Sequence, residues 1–288
     1  MSKVIDGRQI AREINSKVKG KINELFPSVG RAPKLVSLSV GENDDAKIYV
    51  NMQRKTAETV GIEFLTHELP QETKQEELLG KIYELNNDET VTAIIVQNPL
   101  PSGIVYDQIS YNIAAEKDAE GLHPYNLGKI LRREAELVPC TPGAIMKILR
   151  IVGMALYGKE VVVIGHSAIV GKPLSLMMLN ETATTTVCHI GTAEKGDLAA
   201  HARRADILVV AVGKAEMVKG DWVKEGVIVI DVGINKVAGK IVGDVKFDEV
   251  SEKASVISPV PGGVGPVTVS ILMRNVFRAY ANQNSARK

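Results

Sequence analysis

The chain has 288 residues, with 35 basic and 34 acidic side chains and a formal net charge of +1. At about 150 residues per domain, this length predicts two domains that can each bury a core. The balanced charge argues against a nucleic-acid or membrane-surface partner, and no apolar run reaches the roughly 20 residues that span a bilayer. Two distant cysteines argue against a disulfide scaffold or a structural zinc, so we expect no metal site. The N-terminal residues lack the apolar core of a secretory signal.

The first half alternates between apolar strands and amphipathic helices. After a helical pattern at residues 8–26, strands are predicted at 35–40, 62–65 and 91–96. The helix that ends at Gly61 has a predicted inner stripe of Ile48, Met52, Thr56 and Val60. This alternation is typical of βαβ units with a parallel sheet, so we expect an α/β fold. Gln97 directly follows the third strand, at the strand end where open α/β sheets bind ligands.

The second half is organised around a turn that contains two glycines. The run Val161–Ile164 predicts a buried strand, and Gly165 ends it. Ser167 is placed to cap the helix that follows Gly171. A helix N-terminus approached through glycines offers free N–H groups and a positive dipole to a phosphate. The spacing G-x-S-x-x-x-G differs from the dinucleotide fingerprint G-x-G-x-x-G, so an ordinary strand-to-helix turn stays open as an alternative.

Further strands and a final helix complete a Rossmann-like pattern. The strands are predicted at 184–188, 207–212, 227–231 and 255–257, and the helix at about 267–281. A domain that binds NAD has an acidic residue at the end of its second strand, and one that binds NADP has an arginine nearby. Here that region has neither, and the only polar candidates are His166, His189 and Thr192. The sequence therefore leaves the choice between NADP and NAD open.

Several motifs, in order along nearly the whole chain, resemble the methylenetetrahydrofolate dehydrogenase/cyclohydrolase family (FolD type). The first half matches at Tyr49-Val50, Arg54-Lys55, residues 96–101, Lys117-Asp118, Gly121, residues 123–126 and residues 139–142. The second half matches at residues 165–171, 231–235, 242–245 and 259–266. The glycine turn and the Gly- and Pro-rich loop at 259–266 are highly specific as a pair.

The resemblance implies two α/β domains that flank a cleft. It assigns residues 1–140, joined by the C-terminal helix 267–288, to a folate-binding catalytic domain. It assigns residues 141–266 to a Rossmann-like dinucleotide-binding domain with a parallel sheet. Because members of the family are typically cytosolic homodimers that act on tetrahydrofolate one-carbon derivatives, we expect a cytoplasmic homodimer with such a substrate.

The chemistry that the resemblance implies has two steps. A hydride passes from 5,10-methylenetetrahydrofolate to NADP or NAD, and the methenyl product is hydrolysed to 10-formyltetrahydrofolate. The catalytic positions carried over from the family are Tyr49, Gln53 and Gln97. The substrate-binding positions are Tyr49, Gln97, Glu120, Pro261, Gly262 and Gly263. The cofactor-binding positions are Gly165, His166, Ser167, Gly171, Pro173, Thr192, Gly233 and Ile234.

Two of these positions depart from the family pattern. The family has a Tyr-x-x-x-Lys on one helix face, but the residue four after Tyr49 is Gln53. Lys55 lies about 120° around the helix from Tyr49, at roughly 100° per residue, and Lys47 is also off that face. The family usually has Asp before its Gly-x-His-Pro motif, where this chain has Glu120.

Three hypotheses follow for the function. An amide cannot gain or lose a proton near neutral pH, so we expect Gln53 to leave hydride transfer intact and to weaken or abolish hydrolysis. A fully bifunctional enzyme is the second hypothesis, in which Tyr49, Gln97 and water suffice. A non-catalytic subunit that binds folate or nucleotide is the third. A modified pterin as the substrate also stays open.

Overall fold

The computed structural model describes residues 2–42 and 44–285, without the side chains of residues 44–46. Its strands are β1 Lys3–Val4, β2 Lys34–Val40, β3 Glu63–Leu69, β4 Ala93–Val96, β5 Glu160–Ile164, β6 Thr184–Cys188, β7 Ile207–Val210, β8 Ile228–Asp231, β9 Asn235–Val237, β10 Lys240–Val242 and β11 Val256–Ile257. Its helices are α1 Gly7–Val29, α2 Asp44–Val60, α3 Gln75–Asn87, α4 Tyr106–Asn112, α5 Pro124–Leu131, α6 Cys140–Ile151, α7 Gly171–Asn180, α8 Ile190–Glu194, α9 Leu198–Arg204, α10 Phe247–Ser251 and α11 Val264–Ser285. None of these helices is both long enough and apolar enough to cross a bilayer.

The chain divides into two compact units. The six-stranded unit contains the residues up to Ala11 together with Thr141–Thr268, and the three-stranded unit contains Arg12–Cys140 together with the chain from Val269 onward. The predicted boundaries differ from this division at the N-terminus, because β1 pairs in parallel with β11 and so joins the six-stranded unit. Residues 286–288 of the predicted C-terminal segment lie outside the described residues.

The six-stranded unit is built on a parallel sheet with the order β1-β11-β8-β7-β5-β6. Every residue of β7 and β8 is buried, as expected for parallel strands that are covered on both faces. From β5 the chain proceeds to β6 on one side and then returns to β7 on the other side. Such a reversal of strand order opens a crevice at the carboxyl ends of the strands, where α/β sheets bind ligands.

The three-stranded unit has a parallel sheet with the order β3-β2-β4. Helix α3 buries Leu78, Ile82 and Leu85 in the core that also contains the apolar residues of β2 and β4. The ladder continues one residue past β4, because the Gln97 N–H donates to the carbonyl oxygen of Leu38 at 2.8 Å. Gln97 is therefore fixed at the carboxyl edge of this sheet.

Candidate active site

The turn after β5 is packed too tightly for a side chain at two of its glycines. Gly165 has a φ of +126°, and a Cβ there would lie 2.3 Å from the carbonyl oxygen of Ala211, just past β7. A Cβ at Gly171 would lie 2.0 Å from the carbonyl oxygen of Gly165. The turn is thus packed against the neighbouring strand end where the strand order reverses, which is the expected place for a nucleotide.

Helix α7 begins at Gly171 and has Pro173 in its first turn. This first turn contains Lys172 and no acidic residue, so nothing in it opposes the positive end of the helix dipole. Ser167 does not cap the helix as predicted. Its Oγ accepts a hydrogen bond from the Val170 N–H at 3.1 Å and so closes the loop before the helix. These groups fit the pyrophosphate of a dinucleotide.

Two histidines lie near the position where a dinucleotide domain often has a carboxylate: His166 in the turn after β5 and His189 directly after β6. The ring centroids of His166 and His189 lie 5.2 Å apart, and both residues are exposed. His189 Nδ1 accepts from the Gly191 N–H at 3.2 Å, and Thr192 Oγ1 accepts from the His189 N–H at 3.3 Å. Thr192 therefore helps to cap α8, whereas the two imidazoles are accessible to an anionic group.

Two buried aspartates hold the loops that follow β7 and β8. Asp231 accepts hydrogen bonds from the N–H groups of Gly233 at 2.9 Å and Asp244 at 3.0 Å, and Asp244 accepts one from Val212 at 2.7 Å. Burial raises the pKa of Asp231 to about 6. A Cβ at Gly233 would lie 2.2 Å from the carboxyl carbon of Asp244, so this position requires glycine. Ile234 is 70% exposed beside it.

Pro261, Gly262 and Gly263 lie in a compact loop of the six-stranded unit. Gly262 has a φ of +102°, and its carbonyl oxygen accepts from the Gly7 N–H at 3.0 Å. A Cβ at Gly263 would lie 2.5 Å from the carbonyl oxygen of Pro259. Main-chain packing therefore excludes a side chain at Gly263, and the positive φ favours glycine at Gly262.

In the three-stranded unit the structure brings together Tyr49, Gln53 and Gln97. Gln97 Nε2 donates to Gln53 Oε1 at 2.9 Å and to Ser37 Oγ at 3.0 Å. Gln53 is wholly buried, and its Nε2 has no hydrogen-bond partner among the described residues. Burial raises the pKa of the Tyr49 hydroxyl well above its usual range, and the neighbouring Gln53 offsets this only in part. The hydroxyl therefore stays protonated and can donate a hydrogen bond.

The inward face of helix α2 matches the predicted stripe only in part. Val60 is fully buried as predicted, Met52 and Thr56 are half-buried, and Ile48 is 72% exposed. Gln53 and Ala57, which were not in the predicted stripe, are fully buried on the inward face. The pattern of apolar residues was misleading because a polar residue, Gln53, takes an inner position and is bonded to Gln97. Ser37 was also missed, although a serine within the apolar run of β2 is a usable indication of a buried polar contact.

Two lysines close to Gln53 in sequence, Lys47 and Lys55, could in principle replace the missing lysine. Lys55 is exposed, as the helix geometry predicts. Lys47 lines a cavity of about 230 Å³ that Gln97 also borders, but its Nζ lies 3.0 Å from Glu42 Oε2. Neither observation places an ammonium group at the position of the Gln53 amide.

Two neighbouring carboxylates past β4 have different surroundings. Asp118 accepts hydrogen bonds from the His123 N–H at 2.8 Å and from Asn126 Nδ2 at 2.9 Å, so it holds the turn together. Glu120 Oε2 accepts a hydrogen bond from Tyr106 Oη at 2.8 Å. Burial raises the pKa of Glu120 to about 7; to a smaller extent the hydrogen bond from Tyr106 lowers it and the charge of Asp118 raises it. Tyr106 was not predicted as part of the site, because it lies at the start of α4, 14 residues before Glu120.

Two family models match the sequence of the chain. "Tetrahydrofolate dehydrogenase/cyclohydrolase, catalytic domain" matches residues 5–120, and "Tetrahydrofolate dehydrogenase/cyclohydrolase, NAD(P)-binding domain" matches residues 139–284. The chain belongs to this family. The bifunctional protein FolD of Geotalea uraniireducens is 45% identical to it over 280 residues, which are 97% of this chain and 99% of the relative.

Solved structures of the tetrahydrofolate dehydrogenase/cyclohydrolase family have the same fold. FolD from Campylobacter jejuni matches with a TM-score of 0.94 and 43% identity over 98% of this chain and 99% of its own. The Trypanosoma brucei methylenetetrahydrofolate dehydrogenase-cyclohydrolase, solved with NADP and an inhibitor, matches with a TM-score of 0.93 and 40% identity over 100% and 99%. The predicted family, the α/β fold class and the NAD(P)-binding domain are thereby confirmed.

Proposed function

We propose that this enzyme is a 5,10-methylenetetrahydrofolate dehydrogenase that uses NADP and in which the hydrolytic second step is weak or absent. The observation that supports the proposal is Gln53. It stands four residues after Tyr49, where the family pattern has lysine, and it is wholly buried and hydrogen-bonded to Gln97. The relatives are named bifunctional, and Gln53 is the residue that leads us to propose a different activity for this chain.

The dehydrogenase step does not require a titrating group at position 53. Loss of a hydride from the methylene carbon between N5 and N10 gives a methenyl cation, and no proton has to be removed. When bound, NADP supplies the hydride acceptor, and the protein supplies orientation. An amide at Gln53 is compatible with this step because it adds no charge that opposes the cationic product.

The hydrolysis step makes a stronger demand on the same cluster. Water must attack the methenyl carbon and lose both of its protons as its oxygen becomes the formyl oxygen; one proton is released, and the departing N5 gains the equivalent of the other. Gln53 and Gln97 do not titrate near neutral pH, and burial keeps the Tyr49 hydroxyl protonated. The cluster of Tyr49, Gln53 and Gln97 therefore has no group that can accept a proton from water.

The remaining predicted residues receive roles that match their surroundings. Glu120 would accept N–H groups of the pterin ring, and the loop Pro261–Gly263 would form a rigid wall for the substrate. The turn from Gly165 to Gly171 would hold the cofactor's pyrophosphate. Gly233 and Ile234 would lie beside the nicotinamide, since they follow β8 at the carboxyl edge of the sheet.

The choice of NADP rests on the residues that follow β5 and β6. No acidic residue stands there to hold the 2′-hydroxyl of NAD, and the accessible His166 and His189 can donate to a 2′-phosphate. The Trypanosoma brucei relative was solved with NADP. NAD is the alternative, and the two cofactors are compared directly in the test below.

A bifunctional enzyme is the second candidate. The relative from Geotalea uraniireducens is named bifunctional, and Lys47 lines the same cavity as Gln97. Under this candidate, Lys47 would leave Glu42 and supply the ammonium group that Gln53 lacks.

The test is a time course with 5,10-methylenetetrahydrofolate and, in separate runs, NADP and NAD. The proposal expects reduced cofactor, faster with NADP, while 5,10-methenyltetrahydrofolate accumulates. Rapid removal of the methenyl compound would favour the bifunctional candidate. Binding of folate or NADP without reduced cofactor would overturn the dehydrogenase assignment and favour a binding subunit.

A further inference from the structure

Tyr106 contacts the one carboxylate that departs from the family pattern on the substrate side. Its Oη donates to Glu120 Oε2 at 2.8 Å, and both residues are half-buried. Glutamate is one methylene longer than the aspartate that the family usually has at this position. The longer side chain has an additional rotatable bond, so it must be restrained if its carboxylate is to point in one direction.

The ring of Tyr106 is itself held in place by the start of α4. The Val105 N–H donates to Gln75 Oε1 at 2.8 Å, and Gln75 Nε2 donates to Gln108 Oε1 at 2.7 Å. One side chain of α3 thus fixes both the residue before α4 and a residue in its first turn. Ile109, in the same helix, is fully buried and anchors it to the core.

The main chain at Glu120 is equally constrained. The Glu120 N–H donates to Asp118 Oδ1 at 3.2 Å. Gly121 follows with a φ of +72°, and a Cβ there would lie 2.3 Å from the carbonyl carbon of Val138. The backbone cannot shift to adapt to the longer side chain, so the fit must be achieved by the side chain and its partner.

We propose that Tyr106 is the positioning residue for Glu120, a matched partner that fixes the longer carboxylate so that its remaining lone pairs accept N–H groups of the pterin. This inference rests on the proposed function, in which Glu120 binds the pterin. Tyr106 uses one lone-pair site of Oε2, and a carboxylate has about four such sites. Enough sites remain for two donors on one edge of a pterin.

The titratable groups that interact electrostatically with Glu120 are Tyr49, Tyr106, Asp118 and Cys140. Of these, only Tyr106 donates a hydrogen bond to the carboxylate among the described contacts. Removal of that donor raises the pKa of Glu120, because the hydrogen bond lowers it. A pH profile therefore reports on this bond in a way that general loss of packing does not.

The experiment is a double-mutant cycle of Tyr106→Phe and Glu120→Asp, read as KM for 5,10-methylenetetrahydrofolate and as the pH dependence of kcat/KM. We expect Tyr106→Phe to raise KM about tenfold with kcat changed less than twofold. We also expect it to move the ascending limb of the profile to higher pH. In the Glu120→Asp background, where the shorter side chain does not reach Tyr106, the same substitution should change KM less than twofold.

The matched control is Tyr111→Phe, an exposed tyrosine in the same helix, which should leave KM and the pH profile unchanged. Equal effects of Tyr106→Phe in both backgrounds, or behaviour like the control, would overturn the inference about Tyr106. If the wild-type enzyme still turns over in that case, the proposed function is unaffected. If the wild-type enzyme does not turn over, both fall together. If Tyr106→Phe does not fold, Glu120→Asp alone decides: we expect its KM to rise several-fold, and an unchanged KM would overturn the matched pair.

Discussion

The two units build their candidate sites from different parts of the chain. In the six-stranded unit the turn after β5 is set by the main chain, since Cβ atoms at Gly165 and Gly171 would approach carbonyl oxygens to 2.3 and 2.0 Å. In the three-stranded unit the site consists of side chains on separate elements, and both departures from the family pattern, Gln53 and Glu120, lie there. A site formed by the main chain tolerates few substitutions, whereas a site formed by side chains can exchange one functional group without a change of fold.

The largest effect should come from a side chain placed in the main-chain site. Gly171→Ala forces a Cβ to within 2.0 Å of the Gly165 carbonyl oxygen, so the turn must move away from its phosphate-binding shape. We expect NADP affinity to fall more than 100-fold and the free energy of unfolding to fall by about 3 kcal/mol, as for severe overpacking. Titration with NADP and urea denaturation measure the two effects.

The control for this substitution is Gly20→Ala, at a glycine of α1 whose Cβ would meet no atom within 4 Å. It should leave NADP affinity unchanged and stabilise the helix by about 0.5–1 kcal/mol. If Gly171→Ala bound NADP as well as the wild type, the main-chain account of the cofactor turn would be wrong.

The next effect separates stability from function in the side-chain site. Burial raises the pKa of Glu120 from its ordinary 4.5 to about 7, so the folded state opposes ionisation of this group. The raised pKa has no effect on the free energy of unfolding below pH 4.5. The free energy of unfolding falls as pH rises from 4.5 to 7, and the destabilisation is complete above pH 7. Glu120→Gln should therefore raise the free energy of unfolding at pH 8 by about 3 kcal/mol, at 1.36 kcal/mol per pKa unit, with little change at pH 4.5.

The same substitution should raise KM for 5,10-methylenetetrahydrofolate at least tenfold, because an amide replaces the acceptor of the pterin N–H groups. Glu58→Gln, which removes an exposed carboxylate on α2, is the control and should change neither quantity. A Glu120→Gln protein that is no more stable at pH 8 than the wild type would contradict the conclusion that the folded state opposes ionisation of Glu120.

The smallest effect is expected at Lys47, which borders the cavity of Gln97 but is paired with Glu42. Lys47→Ala should change the rates of both hydride transfer and methenyl hydrolysis less than twofold, because the exposed pair contributes little and the ammonium group has no catalytic role. Initial rates of the two steps, measured separately, check this. A selective loss of hydrolysis would instead make Lys47 the substitute for the missing lysine.

Much of the fold could be predicted from apolar periodicity. The strand at Thr184–Cys188 has the predicted bounds, and β5 differs from its prediction by one residue. The two-residue strand β1 and the hairpin of β9 and β10 were missed because such short segments show no period. The inward face of α2 was predicted only in part, with Val60 buried but Ile48 exposed, because a buried polar residue, Gln53, interrupts the apolar stripe.

The candidate sites divide in the same way. The glycine turn could be found from sequence because a tight main-chain turn requires specific residues at fixed spacing. The contact between Tyr106 and Glu120 could not, since it joins a side chain of α4 to one in a later turn, and their approach depends on the packing of α4. The weak hydrolysis expected from Gln53 could be predicted only because the surrounding residues resemble a family pattern that has lysine at this position. The structure adds the burial of Gln53 and its hydrogen bond to Gln97.

The most direct test starts from 5,10-methenyltetrahydrofolate with no cofactor and follows its disappearance with wild-type enzyme, with Gln53→Lys and with buffer alone. The account predicts that wild-type enzyme stays within about twofold of the spontaneous rate. It also predicts that Gln53→Lys accelerates hydrolysis at least 100-fold, the usual scale of general acid–base catalysis. Wild-type enzyme that clears the methenyl compound far faster than buffer would contradict the central claim and establish a bifunctional enzyme.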